Sequence, residues 1–144
     1  PDRWGLLNQL AASGAYVDFN QGLDIRLMDN DVTDLLSSMR VKCLHFAWDN
    51  PHEDLERDFQ RFAERYSRKD RRVKVVYVLT NYNSTAEEDL HRIYTLRALG
   101  YDPYVMIYDK EHAPRETRLL QRWCNNRIIF NTVPDFRAYD CKMG

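Results

Sequence analysis

Four clusters of polar and aromatic residues carry side chains suited to small-molecule chemistry. They are Asn20, Gln21, Asp24 and Arg26; Trp48, Asp49 and Asn50; Thr80, Asn81, Tyr82 and Asn83; and Tyr108 with Asp109. Amides and carboxylates hydrogen-bond hydroxyl and amine groups, a guanidinium pairs with an anion, and rings stack on planar groups. This mixture suits a polar small molecule with a ring, such as a nucleoside. Turns are rich in Asn and Asp for conformational reasons alone, so no single residue marks a site. The recurrence at four places does. His45 stands inside an apolar run, where it is either a proton carrier or ligand on an open face or a hydrogen-bonded core residue. His52, His91 and His112 lack partner spacing and read as surface residues.

Other chemistries have no motif. The sequence holds no Ser-His-Asp arrangement, no HExxH and no phosphate-binding glycine loop, its five glycines being isolated. Cys43, Cys124 and Cys141 are odd in number and far apart, unlike a disulfide framework or a CxxC metal site. They suit a reduced, cytoplasmic protein with Cys43 buried. A net charge of -1 over 144 residues gives no electrostatic case for nucleic acid. The most basic segment, Arg65–Arg72, reads as a solvated helix end favoured by the helix dipole. No run of about 18 apolar residues is present, so no membrane span is expected.

The elements that must position these clusters follow from periodicity. Leu6, Leu7 and Leu10 mark one face of a helix ending at Ser13-Gly14. Tyr16–Asn20 reads as a strand, and Gly22 gives the turn after it a hinge. Asn30 and Asp31 are read as the cap of a helix carrying Val32, Leu35, Leu36 and Met39. Val41–Trp48 is apolar enough for a central parallel strand. Pro51 is read into the first turn of a helix whose inner stripe is Leu55, Phe59, Phe62, Ala63 and Tyr66. Val73–Leu79 is the clearest strand. After it, Ser84 with Glu87 or Thr85 with Glu88 forms a capping box, and the helix stops at Gly100. Tyr104–Tyr108 is the last strand, and Pro114 opens a helix terminated near Asn125-Asn126. No element is assigned beyond Ile128.

The strand starts, near residues 16, 41, 73 and 104, are spaced for one βα unit each. The expected fold class is α/β, with four βα units and a mostly parallel sheet in a single domain over residues 1–144. Ligands of such sheets meet the strand C-termini, which places all four clusters on one rim. Four units are half of a (β/α)8 barrel, which takes roughly 250 residues. The fold is therefore either a small open parallel sheet or part of a barrel whose beginning is absent; the chain opens Pro1-Asp2-Arg3 without a methionine, and a fragment of a longer protein is expected.

The stretches FNQGLDIRLMDNDVTDLL, VKCLHFAWDN and VKVVYVLTNYNSTAEEDLHRIYTLRALGYDPYVMIYDK together resemble the second half of a radical SAM domain. The resemblance covers about Ala15 to Lys110 and rests on order and spacing. Gln21-Gly22-Leu23-Asp24-Ile25-Arg26 stands where the family has a strand ending in a polar-Gly pair followed by Leu-Asp-x-Arg. Ala47-Trp48-Asp49-Asn50 stands where a strand ending in Gly-x-Glu-Ser is usual. Thr80-Asn81-Tyr82-Asn83 replaces a Gly-rich turn, and Thr85–Asp89 keeps the acidic helix start. The family's CxxxCxxC cluster loop and its Gly-Gly-Glu strand end are missing, and both would precede Pro1.

The resemblance implies a partial barrel in which S-adenosylmethionine, on a [4Fe-4S] cluster of the parent protein, is cleaved reductively to a 5′-deoxyadenosyl radical. By the same resemblance, Gln21, Asp24, Arg26, Asp49, Asn50, Thr80, Asn81 and Asn83 would face the cofactor. His45, Trp48, Tyr82, Tyr108 and Asp109 would face the substrate. The fragment alone is expected to hold no cluster, to supply no metal ligands and to be inactive; its catalytic residues are unassigned. Its expected partners are the missing N-terminal half of the barrel and, through an exposed edge at the first strand, a second copy. The rival reading is a small non-catalytic α/β module that binds a nucleotide or a partner protein.

Overall fold

Alternating apolar runs and amphipathic stripes build a four-stranded parallel sheet with helices between its strands. The structure, a computed structural model, describes residues 3–19 and 21–143, with Arg3 and Met143 by backbone only. The elements are α1 (Arg3–Ser13), β1 (Tyr16–Phe19), α2 (Asn30–Ser38), β2 (Arg40–Ala47), α3 (Glu56–Arg65), β3 (Lys74–Thr80), α4 (Ala86–Ala98), β4 (Asp102–Ile107), α5 (Arg115–Asn125) and α6 (Arg127–Thr132). Strand order is β1-β2-β3-β4, and all three pairings are parallel. With right-handed crossovers, sequential order puts each crossover helix on the same face of the sheet.

That face is the core. Val41, Leu44 and Phe46 of β2 and Val76 and Val78 of β3 pack with Val32 and Leu36 of α2 and Phe59 and Phe62 of α3. Phe46 meets Phe59, Phe62 and Tyr101 edge-on, at centroid distances of 6.1, 5.2 and 6.3 Å. Each such fully buried ring contributes on the order of 2–3 kcal/mol by leaving water. A second cluster joins Ile93 of α4, Val105 of β4, Leu120, Trp123 and Cys124 of α5, and Ile129 and Phe130 of α6.

A bulge sets which β2 side chains face away from the helices. The β1–β2 register steps from Val17↔Val41 to Asp18↔Cys43, leaving Lys42 unpaired. Val41 and Leu44 are therefore both buried. Cys43, His45 and Ala47 take the opposite face. Strict alternation from Val41 would have put His45 in the core.

The two edges of the sheet differ. At β4, the Asn125 side chain acts as a one-residue strand: Val105 N–H donates to its Oδ1 at 2.8 Å, and its Nδ2 donates to Val105 O at 3.1 Å. Gln121 Nε2 donates to the same carbonyl at 3.2 Å. Pro103, which has no N–H, also sits on this strand, as edge positions allow. Among the described residues no further strand pairs with β1.

Several sequence expectations are corrected. The cap of α2 is Asp29, whose Oδ1 accepts from Val32 N–H at 2.9 Å, not Asn30 or Asp31. Pro51 lies in a turn held by Asn50 Oδ1 accepting from His52 N–H, and α3 starts only at Glu56. Val73 belongs to a 3-10 turn before β3. β4 starts at Asp102, and α6 forms where no element was assigned, capped by Asn126. Cys43 is half-buried rather than buried. Other expectations hold: of the two capping boxes the sequence allows, Thr85 with Glu88 forms, and Gly100 follows α4 at φ +90. The basic run is spent on structure. Arg65 pairs with Asp34, Lys69 donates to the Ala63 and Glu64 carbonyls, Arg68 donates to Val41 O and Arg72 pairs with Asp70.

Candidate functional site

The face without crossover helices carries a concavity of about 830 Å³, and its rows follow from register. His45 pairs with Val75 and Val75 with Asp102; Ala47 pairs with Tyr77 and Tyr77 with Tyr104; Leu79 pairs with Met106. Paired residues of a parallel sheet point the same way, so these rows make the floor. His45 stacks on Tyr77 at 5.6 Å, and Tyr77 meets Tyr104 edge-on at 5.8 Å. Asp49 lines one end of the concavity, and Asn125 and Arg127 one side. Arg127 Nη2 is 3.0 Å from Asp102 Oδ2. Burial raises the Asp102 carboxyl above its ordinary value, and the Arg127 charge and hydrogen bond act against that. The surface is largely apolar and aromatic with a few polar groups at its margin, the usual make-up of an organic ligand site.

Above the strand C-termini, Tyr82 and Tyr108 form an exposed edge-to-face pair at 4.7 Å. They are 51% and 53% exposed. Their loops are held in unusual backbone: Asn81, Asn83 and Asp109 have φ of 60, 53 and 49. Asn and Asp tolerate this left-handed region better than other non-glycine residues. Asn81 Nδ2 donates to Tyr108 O at 3.1 Å, tying the β3 loop to the β4 loop. Asp109 pairs with His112 at 3.0 Å.

A buried ion pair lies behind this rim. Arg92 of α4 is 1% exposed and donates to the carbonyls of Trp48 and, at 2.9 Å, Leu79, as well as to Asp89. One guanidinium thus holds the ends of β2 and β3 together. Burial lowers Arg92 from its ordinary value; Asp89, the nearest anion, offsets this in part, and Asp49 acts in the same direction as Asp89.

The sequence-predicted residues divide. His45 and Asp49 line the concavity, while Tyr82, Tyr108 and Asn81 meet on the rim. Asn83 is exposed on the same loop, and Gln21 is exposed near the end of β1. Asn20 lies outside the described residues. Asp24 and Arg26 are turned on each other, with Arg26 Nη2 at 2.8 Å from Asp24 Oδ2 and Nη1 at 3.8 Å from Glu53. That pairing holds the Asp24 carboxyl below its ordinary value. The two residues line a smaller hollow of about 270 Å³ with Gly22 and Ala47. Asn50 is used by its own turn.

Two of the predicted residues turn to the helix side of the sheet. Trp48 is buried against Phe59 at 5.6 Å on the helix side, its Nε1 donating to Glu53 O. Thr80 continues the buried alternation of Val76 and Val78, and its hydroxyl donates to Met106 O at 2.9 Å. Strand alternation turns both away from the open face.

Sequence reasoning missed Cys43, Tyr77, Tyr104, Asp102, Asn125, Arg127 and the Arg92–Asp89 pair. The i, i+2 rhythm of Val75, Tyr77 and Leu79 was a readable signal for the floor. Arg92 carried none, since its stripe position beside Ile93 looks like any helix-surface arginine.

No protein-family model, curated protein or solved structure matches the chain. Among the described residues no group of three His, Cys, Asp or Glu side chains gathers as metal ligands, and no helix is long and apolar enough to cross a membrane.

Proposed function

We propose that this chain is one wall of a radical SAM enzyme's partial (β/α) barrel, contributing surface for the cofactor and substrate in a longer, cytoplasmic parent protein. The observation that carries the reading is the sheet itself. Its strands run in sequential parallel order, crossover helices cover one face, and aromatic side chains line the other, with β1 unpaired on its outer side among the described residues. A barrel wall has this construction, with an inner face, an outer helical layer and an edge at which further strands continue. The stretches from Ala15 to Lys110 that resemble the family add order and spacing to that support. Three free thiols agree with a reducing compartment.

The residues present fit the two implied groups differently. Cys43, Cys124 and Cys141 stand on β2, on α5 and past α6, and do not gather, so an iron–sulfur cluster does not fit this chain and no step is derived through it. An adenosine moiety does fit the rim chemically. Tyr82 and Tyr108 offer π faces for a purine, the exposed Asn83 offers an amide to ribose hydroxyls, and Asp49 offers a carboxylate to a cationic sulfonium. When bound, S-adenosylmethionine supplies the radical chemistry. This chain's residues would orient it and shape the space beside it.

The test is titration with S-adenosylmethionine by calorimetry and amide-resolved NMR. Heat of binding with shifts confined to the Asp49, Asn81–Asn83 and Tyr108–Asp109 loops is expected. No shift at these loops at millimolar cofactor removes them from the cofactor wall. Shifts there with ADP but none with S-adenosylmethionine would favour a non-catalytic nucleotide-binding module.

A further inference from the structure

The inner face carries a thiol and an imidazole that the proposed cofactor wall does not use. Alternation puts Cys43 and His45 on one face of β2, the bulge at Lys42 makes that face the open one, and Cys43 Sγ lies 3.8 Å from His45 Nε2. The other ring nitrogen, His45 Nδ1, is 2.7 Å from the Phe19 backbone carbonyl. A carbonyl oxygen can only accept, so Nδ1 must carry the hydrogen. In the neutral ring the lone pair is then on Nε2, which is the nitrogen facing the thiol. Tyr77, stacked over the ring, fixes its plane.

This is the arrangement of an activated nucleophile: a thiol, a base within reach of its proton, and a third group that orients the base. We propose that Cys43 and His45 form a nucleophilic thiol–imidazole site that reacts covalently with a soft carbon electrophile. The Cys43 proton passes to His45 Nε2, and the sulfur electron pair forms the S–C bond. The leaving group departs with the electrons of the bond it breaks. The Phe19 carbonyl, accepting from Nδ1, stabilises the imidazolium that results.

The surroundings of the pair make the test decisive. Burial raises the Cys43 thiol above its ordinary value, and the carboxylates of Asp18 on β1 and Asp102 on β4 act in the same direction. The Val75 backbone N–H and Arg127 of α6 act the other way. The Cys43 charge acts on the buried Tyr66 hydroxyl at the end of α3, and the Arg72 carbonyl lies 3.7 Å from Sγ. These surroundings oppose thiolate formation in the chain as it stands, so reaction below the ordinary thiol range of about 8.5 requires transfer of the proton to His45.

The experiment is alkylation of the whole chain by iodoacetamide, with the labelled cysteine assigned by peptide mass spectrometry across pH 5–10. Cys141 and the buried Cys124 are internal references. The expected result is a Cys43 rate at half its plateau at least about one unit below 8.5. His45→Gln should lower the Cys43 rate at pH 7.5 by roughly tenfold or more, leaving Cys141 unchanged. A Cys43 rate that rises only above pH 8.5 in the wild-type chain overturns the proposal, even if the variant fails to fold. So does a folded His45→Gln variant whose Cys43 reacts as fast as wild type. The readout does not involve S-adenosylmethionine, so its failure is separate from any failure of the barrel reading.

Discussion

Arg92 Nη2 lies 2.6 Å from Asp89 Oδ1, one helical turn away on α4, and both side chains are almost wholly buried. The pair is fixed to the sheet because Arg92 also donates to the carbonyls of Trp48 and Leu79. A helix–sheet contact that would ordinarily be apolar is here a charged clamp on the ends of two adjacent strands. Asp49 directly follows the clamped Trp48 and Asn81 directly follows β3, so both loops leave the sheet at this clamp.

Removing one partner of such a pair leaves the other charged in the interior, at a cost of about 3–5 kcal/mol. Arg92→Met should therefore unfold at markedly lower urea. The double variant Arg92→Met with Asp89→Leu should recover part of the loss, because no buried charge remains. Urea denaturation at pH 7 measures both, and full additivity of the two single losses would show that the pair does not act as a unit.

Lys74 gives a pH dependence with a definite sign. It is 1% exposed, its ammonium lies 5.2 Å from the Tyr101 ring centroid, and burial lowers it to about 8 from 10.5. Between these values the unfolded chain holds the proton and the folded chain does not, so stability rises with pH across that window. Below pH 8 the contribution is absent. Relative to Lys74→Met, which cancels the other titrations, the wild-type chain should gain about 2–3 kcal/mol between pH 7.5 and pH 10.5. Paired denaturation curves at the two pH values check the slope.

The covered β4 edge and the β1 edge, unpaired on its outer side among the described residues, make a prediction about association. Asn125→Ala strips the Val105 N–H of its side-chain partner and leaves the C=O to Gln121 alone, costing about 1–3 kcal/mol, and opens a second edge to pairing. Light scattering should find the wild-type mass rising with concentration through β1 and the variant associating at lower concentration. A wild-type monomer at all concentrations would show that β1 alone does not recruit a second copy.

The rim aromatics lend themselves to a binding measurement. Stacking of a base on an aromatic ring is worth about 1–3 kcal/mol by alanine substitution. Tyr82→Ala and Tyr108→Ala should each weaken S-adenosylmethionine or adenosine binding by roughly tenfold while leaving urea stability nearly unchanged, because both rings are exposed. Unchanged affinity in both variants would take the pair out of the adenosine site.

Local patterning alone determined the α/β class, the four strands and most helix faces. Apolar stripes such as Leu55, Phe59, Phe62 and Tyr66 can be buried in only one way, and the Thr85–Glu88 box and Gly100 mark helix ends through short-range hydrogen bonding and backbone sterics. The strand-end clusters also followed from order, since parallel strands bring their C-termini to one side. Tertiary structure decided which of those residues are available. Trp48 and Thr80 are taken into the core by strand alternation, Asp24 and Arg26 neutralise each other, and Arg92 is drawn beneath the rim. The bulge at Lys42 is the clearest case. One residue without a pairing partner reverses the facing of the rest of β2, and only pairing with β1 reveals it, because sequence periodicity carries no record of register between strands. The same step puts Cys43 beside His45 on the open face.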